Sequence, residues 1–192
     1  ADLMQLTRGT EWWTHSGGDY ADIRPHLLVL YSLALWCCWP DPTEPQPVRA
    51  PVCLEIGVRE GISTLVLLHA MREAGGRLIS LDIDADSLDQ AQQQIRRAGL
   101  RDWWDPHCMN AYDFIHHLHD SIDVLFTDGD HHEPQVRRDV ENYLPRVRPN
   151  GIVAMHDYWA MADPANECAG DLSISGVSLV VNELPDSTDA WR

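Results

Sequence analysis

Two hydrophobic periods alternate along the chain from residue 52 onward. Val52-Cys-Leu-Glu-Ile56 is a short apolar run that ends at Gly57, which predicts a strand. Ile62 to Glu73 keeps helical spacing and is stopped by Gly75-Gly76. Arg77-Leu-Ile-Ser-Leu-Asp82 predicts a second strand. Asp84 is placed to cap a helix whose apolar positions are Leu88, Ala91, Ile95 and Ala98, with Gly99 just beyond. A weaker strand is expected near His107-Cys-Met109, and a clear one over Ile122–Thr127. Pro134 suits the first turn of a helix carrying Val136, Val140 and Leu144. Pro149-Asn-Gly151 predicts a turn and Ile152-Val-Ala-Met155 a fifth strand. Apolar strands alternating with helices imply an α/β fold, a doubly wound and mostly parallel sheet covered on both faces. Ligands of such sheets lie beyond the carboxyl ends of the strands. That rim carries Gly57, Asp82, Asn110, Asp128, His156 and Asp157.

The first 51 residues have a different texture. Pro25 to Cys38 is apolar nearly all round and too long for an ordinary strand, so a buried helix is expected. Trp39 to Pro51 contains five prolines, which forbid helix and central strand and leave an extended connector. Residues 1–51 therefore read as an N-terminal helical segment and connector, packed on a main domain of residues 52–192. At the other end, Ser175 to Leu184 suits a helix, though its β-branched run also suits a strand.

Composition narrows the function. With 192 residues, 44% of them hydrophobic and 23% charged, the chain suits one globular domain. Its formal charge of −16 repels phosphate backbones and anionic lipid, so neither nucleic acid nor a membrane surface is an expected partner. All 14 cationic side chains are Arg, which removes Schiff-base and P-loop lysine chemistry. The five cysteines form no CxxC, and adjacent Cys37 and Cys38 lie in an apolar run, as expected in a reducing compartment. Leu27 to Trp39 is about half a bilayer span, and the chain opens without a basic, apolar leader. These features imply a cytoplasmic protein. An acidic surface fits an uncharged or cationic small-molecule substrate, and a homo-oligomer is left open.

Two motifs at the strand ends carry the first chemistry. In Leu54-Glu55-Ile-Gly57-Val-Arg-Glu-Gly61 a strand runs into a glycine loop and then a helix. The spacing is GxxxG rather than GxGxxG, and Glu60 would place a pyrophosphate poorly, so a positive or zwitterionic ligand fits better. Asp82 ends the second strand 25 residues after Gly57, where a carboxylate can accept ribose hydroxyls. Residues 52 to about 158 resemble the class I S-adenosylmethionine-dependent methyltransferases, with these two stretches matching the family's first and second motifs. The resemblance implies a Rossmann-like methyltransferase fold and cofactor contacts at Glu55, Gly57, Gly61 and Asp82. The acid that commonly flanks adenine after strand three is missing from Met109-Asn110-Ala111-Tyr112, leaving Asn110, Ala111 or Tyr112 for that place. The family's two further antiparallel strands have only Pro185 to Arg192 left to form them. Three readings stay open: a minimal chain without that hairpin, a truncated sequence, or a strand over residues 172–182.

The third motif is Phe126-Thr-Asp128-Gly-Asp130-His131-His132-Glu133, paired with Met155-His156-Asp157-Tyr158 at the next strand end. Carboxylates and imidazoles on adjacent strand ends can converge on a divalent cation. The pattern resembles a branch of metal-dependent small-molecule O-methyltransferases, including those acting on macrolide sugars. That resemblance implies Asp128, His156 and Asp157 as metal ligands, with Asp128 also beside the cofactor, and His131 as the general base. Magnesium or manganese is implied, and His156, where a carboxylate or carboxamide is commoner, moves preference towards transition metals. Cephalosporin-hydroxylase-like proteins share the rim with oxidative chemistry and form the alternative enzyme. A non-catalytic cofactor-binding or interaction domain is the third reading. His116, His117 and His119 read as an exposed helix face, His69 as a packed residue, and Trp12, Trp13 and His15 as a possible cover for the substrate.

Overall fold

A computed structural model describes residues 23, 26–38, 49–157 and 176–184. Helix α1 (Leu27–Cys38) precedes strand β1 (Val52–Ile56), followed by α2 (Ile62–Ala74), β2 (Arg77–Asp82) and α3 (Ala85–Arg97). Then come β3 (Trp104–Cys108), the single turn α4 (Ala111–Phe114), β4 (Ile122–Thr127), α5 (Glu133–Tyr143), β5 (Val147–Met155) and α6 (Gly176–Glu183).

The strands form one parallel sheet in the order β3-β2-β1-β4-β5. The order in which successive strands are added changes sense between β1 and β4, so the crevice at their carboxyl ends is the place for a ligand. Alternation along each strand feeds two cores. Cys53, Leu78, Val124 and Phe126 pack beneath α1, α2 and α3, while Leu54, Ile79, Leu81 and Leu125 pack with Phe114, Leu118 and Tyr143 on the other face. Asp84 caps α3 by accepting from the Asp86 amide, and Leu88, Ala91 and Ile95 are buried as their spacing requires.

Three expectations change. Helix α1 is not buried all round: Leu27, Leu30, Ala34 and Cys38 are buried, while Leu28, Val29 and Trp36 are exposed. Strand β3 starts at Trp104 and ends before Met109. It lies at the sheet edge, where Pro106 costs no ladder bond, and the Trp104 indole donates to the Ser80 hydroxyl at 2.9 Å. The Pro149-Asn150-Gly151 turn lies inside β5 as an irregularity: Ile122 pairs with Val147 but Val124 with Ile152, and Asn150 has φ 62°. Its cause is next to it. Buried Asp123 accepts from Arg148 Nε at 2.5 Å, Arg49 Nη1 at 2.8 Å and the Val52 amide at 2.7 Å, drawing the strand's extra residues around it. Of the two readings of the C-terminal stretch, the helix holds over residues 176–183, and Val177 and Val180 pack on Val136 and Val140 of α5. Among the described residues, no helix is long and apolar enough to cross a membrane.

Candidate active site

The loop from β1 to α2 is shaped by contact with β4. Gly57 has φ 91°, and a β-carbon there would overlap the Asp128 carbonyl oxygen, so the two strand ends come this close only through glycine. Asp82 then pins the loop: its Oδ2 accepts from the amides of Val58 at 2.8 Å and Arg59 at 3.1 Å, and its Oδ1 from Asp84 at 2.9 Å. Gly61, φ 82°, begins α2, and a β-carbon would lie 2.7 Å from Ala91 Cβ of α3. Its glycine serves helix packing.

Glu55 is elsewhere than a cofactor contact requires. Strand alternation turns it under α2, fully buried, where it accepts from Ser63 at 2.7 Å, Thr64 at 2.8 Å and Ser80 at 2.7 Å. Burial pushes its carboxyl up to about 7, against the lowering effect of those hydroxyls. It supports the start of α2 and is not part of the cleft wall.

A cleft of about 290 Å³ crosses the strand ends from Asp128 and Gly129, past Gly57 and Asp82, to Met109, Asn110 and Ala111. Asn110 caps α4 by accepting from the Tyr112 amide at 2.8 Å. Tyr112 itself is exposed, with the Arg138 guanidinium 5.0 Å above its ring, and does not line the cleft. Three lining residues lie outside the stretches singled out from the sequence: Ile83, and Gln135 and Asp139 of α5. Asp139 had a readable signal. It is an acid on the stripe that Val136, Val140 and Tyr143 make otherwise apolar.

Beside the cleft, β4 and β5 bring four side chains together. His156 Nδ1 lies 3.2 Å from Asp128 Oδ1 and 3.1 Å from Asp157 Oδ1. His131 Nε2 lies 3.5 Å from Asp128 Oδ1, and its Nδ1 3.2 Å from Asp157 Oδ2. His131 Nε2 and His156 Nδ1 are buried without a hydrogen-bond partner, so these approaches are ionic in distance but lack hydrogen-bond alignment. Burial alone would raise Asp128, but the imidazoles of His131 and His156 hold it at about 2. Burial disfavours charge on His156, yet Asp128 and Asp157 lift it to about 10. Ligand atoms of Asp128, His131 and Asp157 lie within 4.8 Å of one another, as a metal site needs. That set contains His131, expected as the base, and leaves out His156, expected as a ligand; His156 Nδ1 is buried without a hydrogen-bond partner and faces both carboxylates, its side chain only 8% exposed. His131 is more open, at 24%.

The start of α1 reaches the same rim. The His26 ring stands edge-on to His156 with centroids 5.7 Å apart, and Ile23 lines a small recess with Ser63 and Asp128. His132 is exposed and paired with Asp130 outside the cluster. His116, His117 and His119 are exposed, and His69 is buried in α2. Trp12, Trp13, His15, Tyr158 and Cys168 lie outside the described residues.

A family model described as a methyltransferase domain matches residues 54–158, which runs from within β1 through β5 and includes Gly57, Asp82, Asp128, His131, His156 and Asp157. The chain belongs to that methyltransferase family. This bears out the resemblance read from residues 52 to about 158. Solved structures agree on the fold. The O-methyltransferase TomG of Streptomyces achromogenes, in complex with SAM and involved in tomaymycin synthesis, is 21% identical with a TM-score of 0.65, covering 82% of this chain. The chain spans 66% of TomG's length. An O-methyltransferase from Bacillus cereus, in complex with SAH, is 19% identical with a TM-score of 0.59, covering 88% of this chain and 80% of its own. A putative caffeoyl-CoA O-methyltransferase from Staphylococcus aureus is 14% identical with a TM-score of 0.67, covering 86% and 75%. A search of curated proteins finds no match.

Proposed function

We propose that this methyltransferase takes its methyl group from S-adenosylmethionine and transfers it to a hydroxyl of a small molecule, assisted by a divalent cation. The observation that carries the reading is the position of Asp128, which both lines the cleft and faces the two imidazoles and Asp157. Cofactor and cation sites therefore share a wall. The cleft is lined by Asp82, Asp128, Asp130 and Asp139 against one cation, Arg59, a net negative wall that suits a sulfonium and an ammonium and opposes a phosphate. TomG and the Bacillus cereus enzyme, which bind SAM and SAH, support the same cofactor here.

In this reading the cofactor supplies an electrophilic methyl and the cation, when bound, acidifies a neighbouring hydroxyl. Asp128 and Asp157 would hold the cation, with buried His156, which faces both carboxylates, as the third donor. More open His131 takes the hydroxyl proton. Gly57 lets the cofactor approach the backbone, Asp82 accepts its ribose hydroxyls, and the fold aligns oxygen, methyl and sulfur. The segment before β1 forms the substrate side, consistent with Ile23 and His26 at the rim. Imidazole donors favour manganese or another transition metal over magnesium.

The test is incubation with S-adenosylmethionine, a panel of hydroxylated small molecules and manganese or magnesium, followed by mass spectrometry. Products heavier by one CH2, lost on chelation and regained with metal, are expected. Products heavier by one oxygen would indicate the oxygenase reading, and none with any acceptor would favour a binding module.

A further inference from the structure

Helix α1 spends only part of its apolar surface inside the molecule. Leu27, Leu30, Ala34 and Cys38 are buried in the core that α1 shares with α2. Tyr31 fastens the flank of the helix, its hydroxyl donating to Glu73 of α2 at 2.9 Å. The opposite face repeats at helical spacing as Leu28, Val29, Ser32 and Trp36. Leu28 is 60% exposed, Val29 56% and Trp36 74%. Ser32 is exposed as well, but its hydroxyl donates to the Leu28 carbonyl at 2.8 Å, so its polar group is engaged within the helix. Contiguous exposed apolar side chains of this size mark a surface that another molecule covers.

Charge and pattern both point to a second copy of this chain. With a formal charge of −16, two copies repel each other wherever their charged surfaces meet. Leu27–Cys38 contains no Asp, Glu, Lys or Arg, so a copy can settle there without like-charge contact. The face is also self-complementary. Leu28 and Trp36 each lie four residues from Ser32, about 6 Å along the helix on either side of it. An identical helix turned end for end about Ser32 sets Trp36 of one copy against Leu28 and Val29 of the other, twice, with the two small serines at the crossing. A bulky side chain opposite two shorter ones is the size match that packed helices need. The same acidity opposes a bilayer of anionic lipid as the cover.

We propose that α1 is the interface of a two-fold homodimer, in which Trp36 of each protomer packs on Leu28 and Val29 of the other and Ser32 lies at the axis. The helix begins beside His26, whose ring stands against His156, so the dimer holds in place the element that borders the candidate active site.

Sedimentation velocity of the whole chain under reducing conditions, from about 1 to about 100 µM, tests this. The wild-type protein is expected to reach twice the chain mass. Trp36→Glu and Leu28→Glu, both at exposed positions, are each expected to weaken association at least about tenfold while the thermal unfolding midpoint is kept. Disulfide trapping then reads the axis. Helices packed about 8–10 Å apart bring the two Ser32 α-carbons within bridging range, whereas the two Leu28 α-carbons lie about 12 Å apart along the helices. On mild oxidation Ser32→Cys is therefore expected to form a linked dimer at least about tenfold faster than Leu28→Cys or the wild type, whose exposed Cys108 sets the background. A wild-type monomer throughout, association unchanged in Trp36→Glu, or equal linking of Ser32→Cys and Leu28→Cys overturns the proposal.

Discussion

The carboxylate of Asp82 accepts the amide of Val58 at 2.8 Å, so the residue expected to hold the ribose also holds the glycine loop. One side chain thus couples the end of β2 to the turn that leaves β1. Its Oδ2 is taken by two amides, while its Oδ1 accepts only from Asp84 and keeps capacity for one further donor. Asp82→Ala removes the acceptor and slackens the loop together. Calorimetry should find S-adenosylhomocysteine affinity lower by about 1–3 kcal/mol. Unchanged affinity would place the ribose elsewhere.

Gly57 and Gly75 separate two reasons for a glycine. Both have positive φ, 91° and 69°. Around Gly75 a β-carbon meets nothing within 4 Å, whereas at Gly57 it runs into the Asp128 backbone. Gly75→Ala should therefore cost only the left-handed conformation, about 1–2 kcal/mol in urea unfolding. Gly57→Ala should cost more, about 3–5 kcal/mol, because two strand ends must separate. Equal losses would mean that the loop relaxes away from β4.

What the sequence made legible follows from how each element is buried. Strands β1, β2 and β4 are covered on both faces, so their apolar runs coincide with their boundaries. Strand β3 is an edge strand with Asp105, Pro106 and His107 in its middle, and the hydrophobic pattern is correspondingly weak. In β5 a turn signal was genuine but local, because Asp123 pulls Arg148 inward without ending the strand. The rim acids were legible because ligands are met just past a strand's last residue. Glu55 misleads for the same reason: it lies within β1, where alternation directs it to α2 instead of the cleft. Asp139 was obscured by its position in a helix, where charged residues are ordinarily solvated.

Glu55 gives a pH dependence of defined sign. Its carboxyl is raised by burial from 4.5 to about 7, so between those values the folded chain keeps a proton that the unfolded chain has released. Stability should fall as pH rises through that window and level off above it, with this group contributing about 3 kcal/mol in total. Glu55→Gln cannot ionise and should flatten this part of the profile while keeping an oxygen for the Ser63 or Ser80 hydroxyl. Urea unfolding near pH 5 and near pH 8 measures the difference. A variant whose slope matches the wild type would show that Glu55 is ionised throughout.

His131 and His132 are neighbours in sequence with opposite surroundings. His131 faces Asp128 and Asp157 inside the cluster, whereas His132 is exposed and paired with Asp130. In the proposed reading only His131 would stand beside a hydroxyl held at the cation. His131→Ala should lower the methylation rate about 10²–10⁴-fold, the usual general-base contribution, and His132→Ala should change it little. The cation is tested apart from turnover. Asp128→Ala and Asp157→Ala should each abolish manganese binding in calorimetry while S-adenosylhomocysteine binding is largely kept, because each removes a carboxylate from buried His156. His156→Ala should weaken manganese more than magnesium, since imidazole is the donor that distinguishes the two. Turnover indifferent to chelators, together with a fully active His131→Ala enzyme, would leave alignment by the fold as the whole of catalysis.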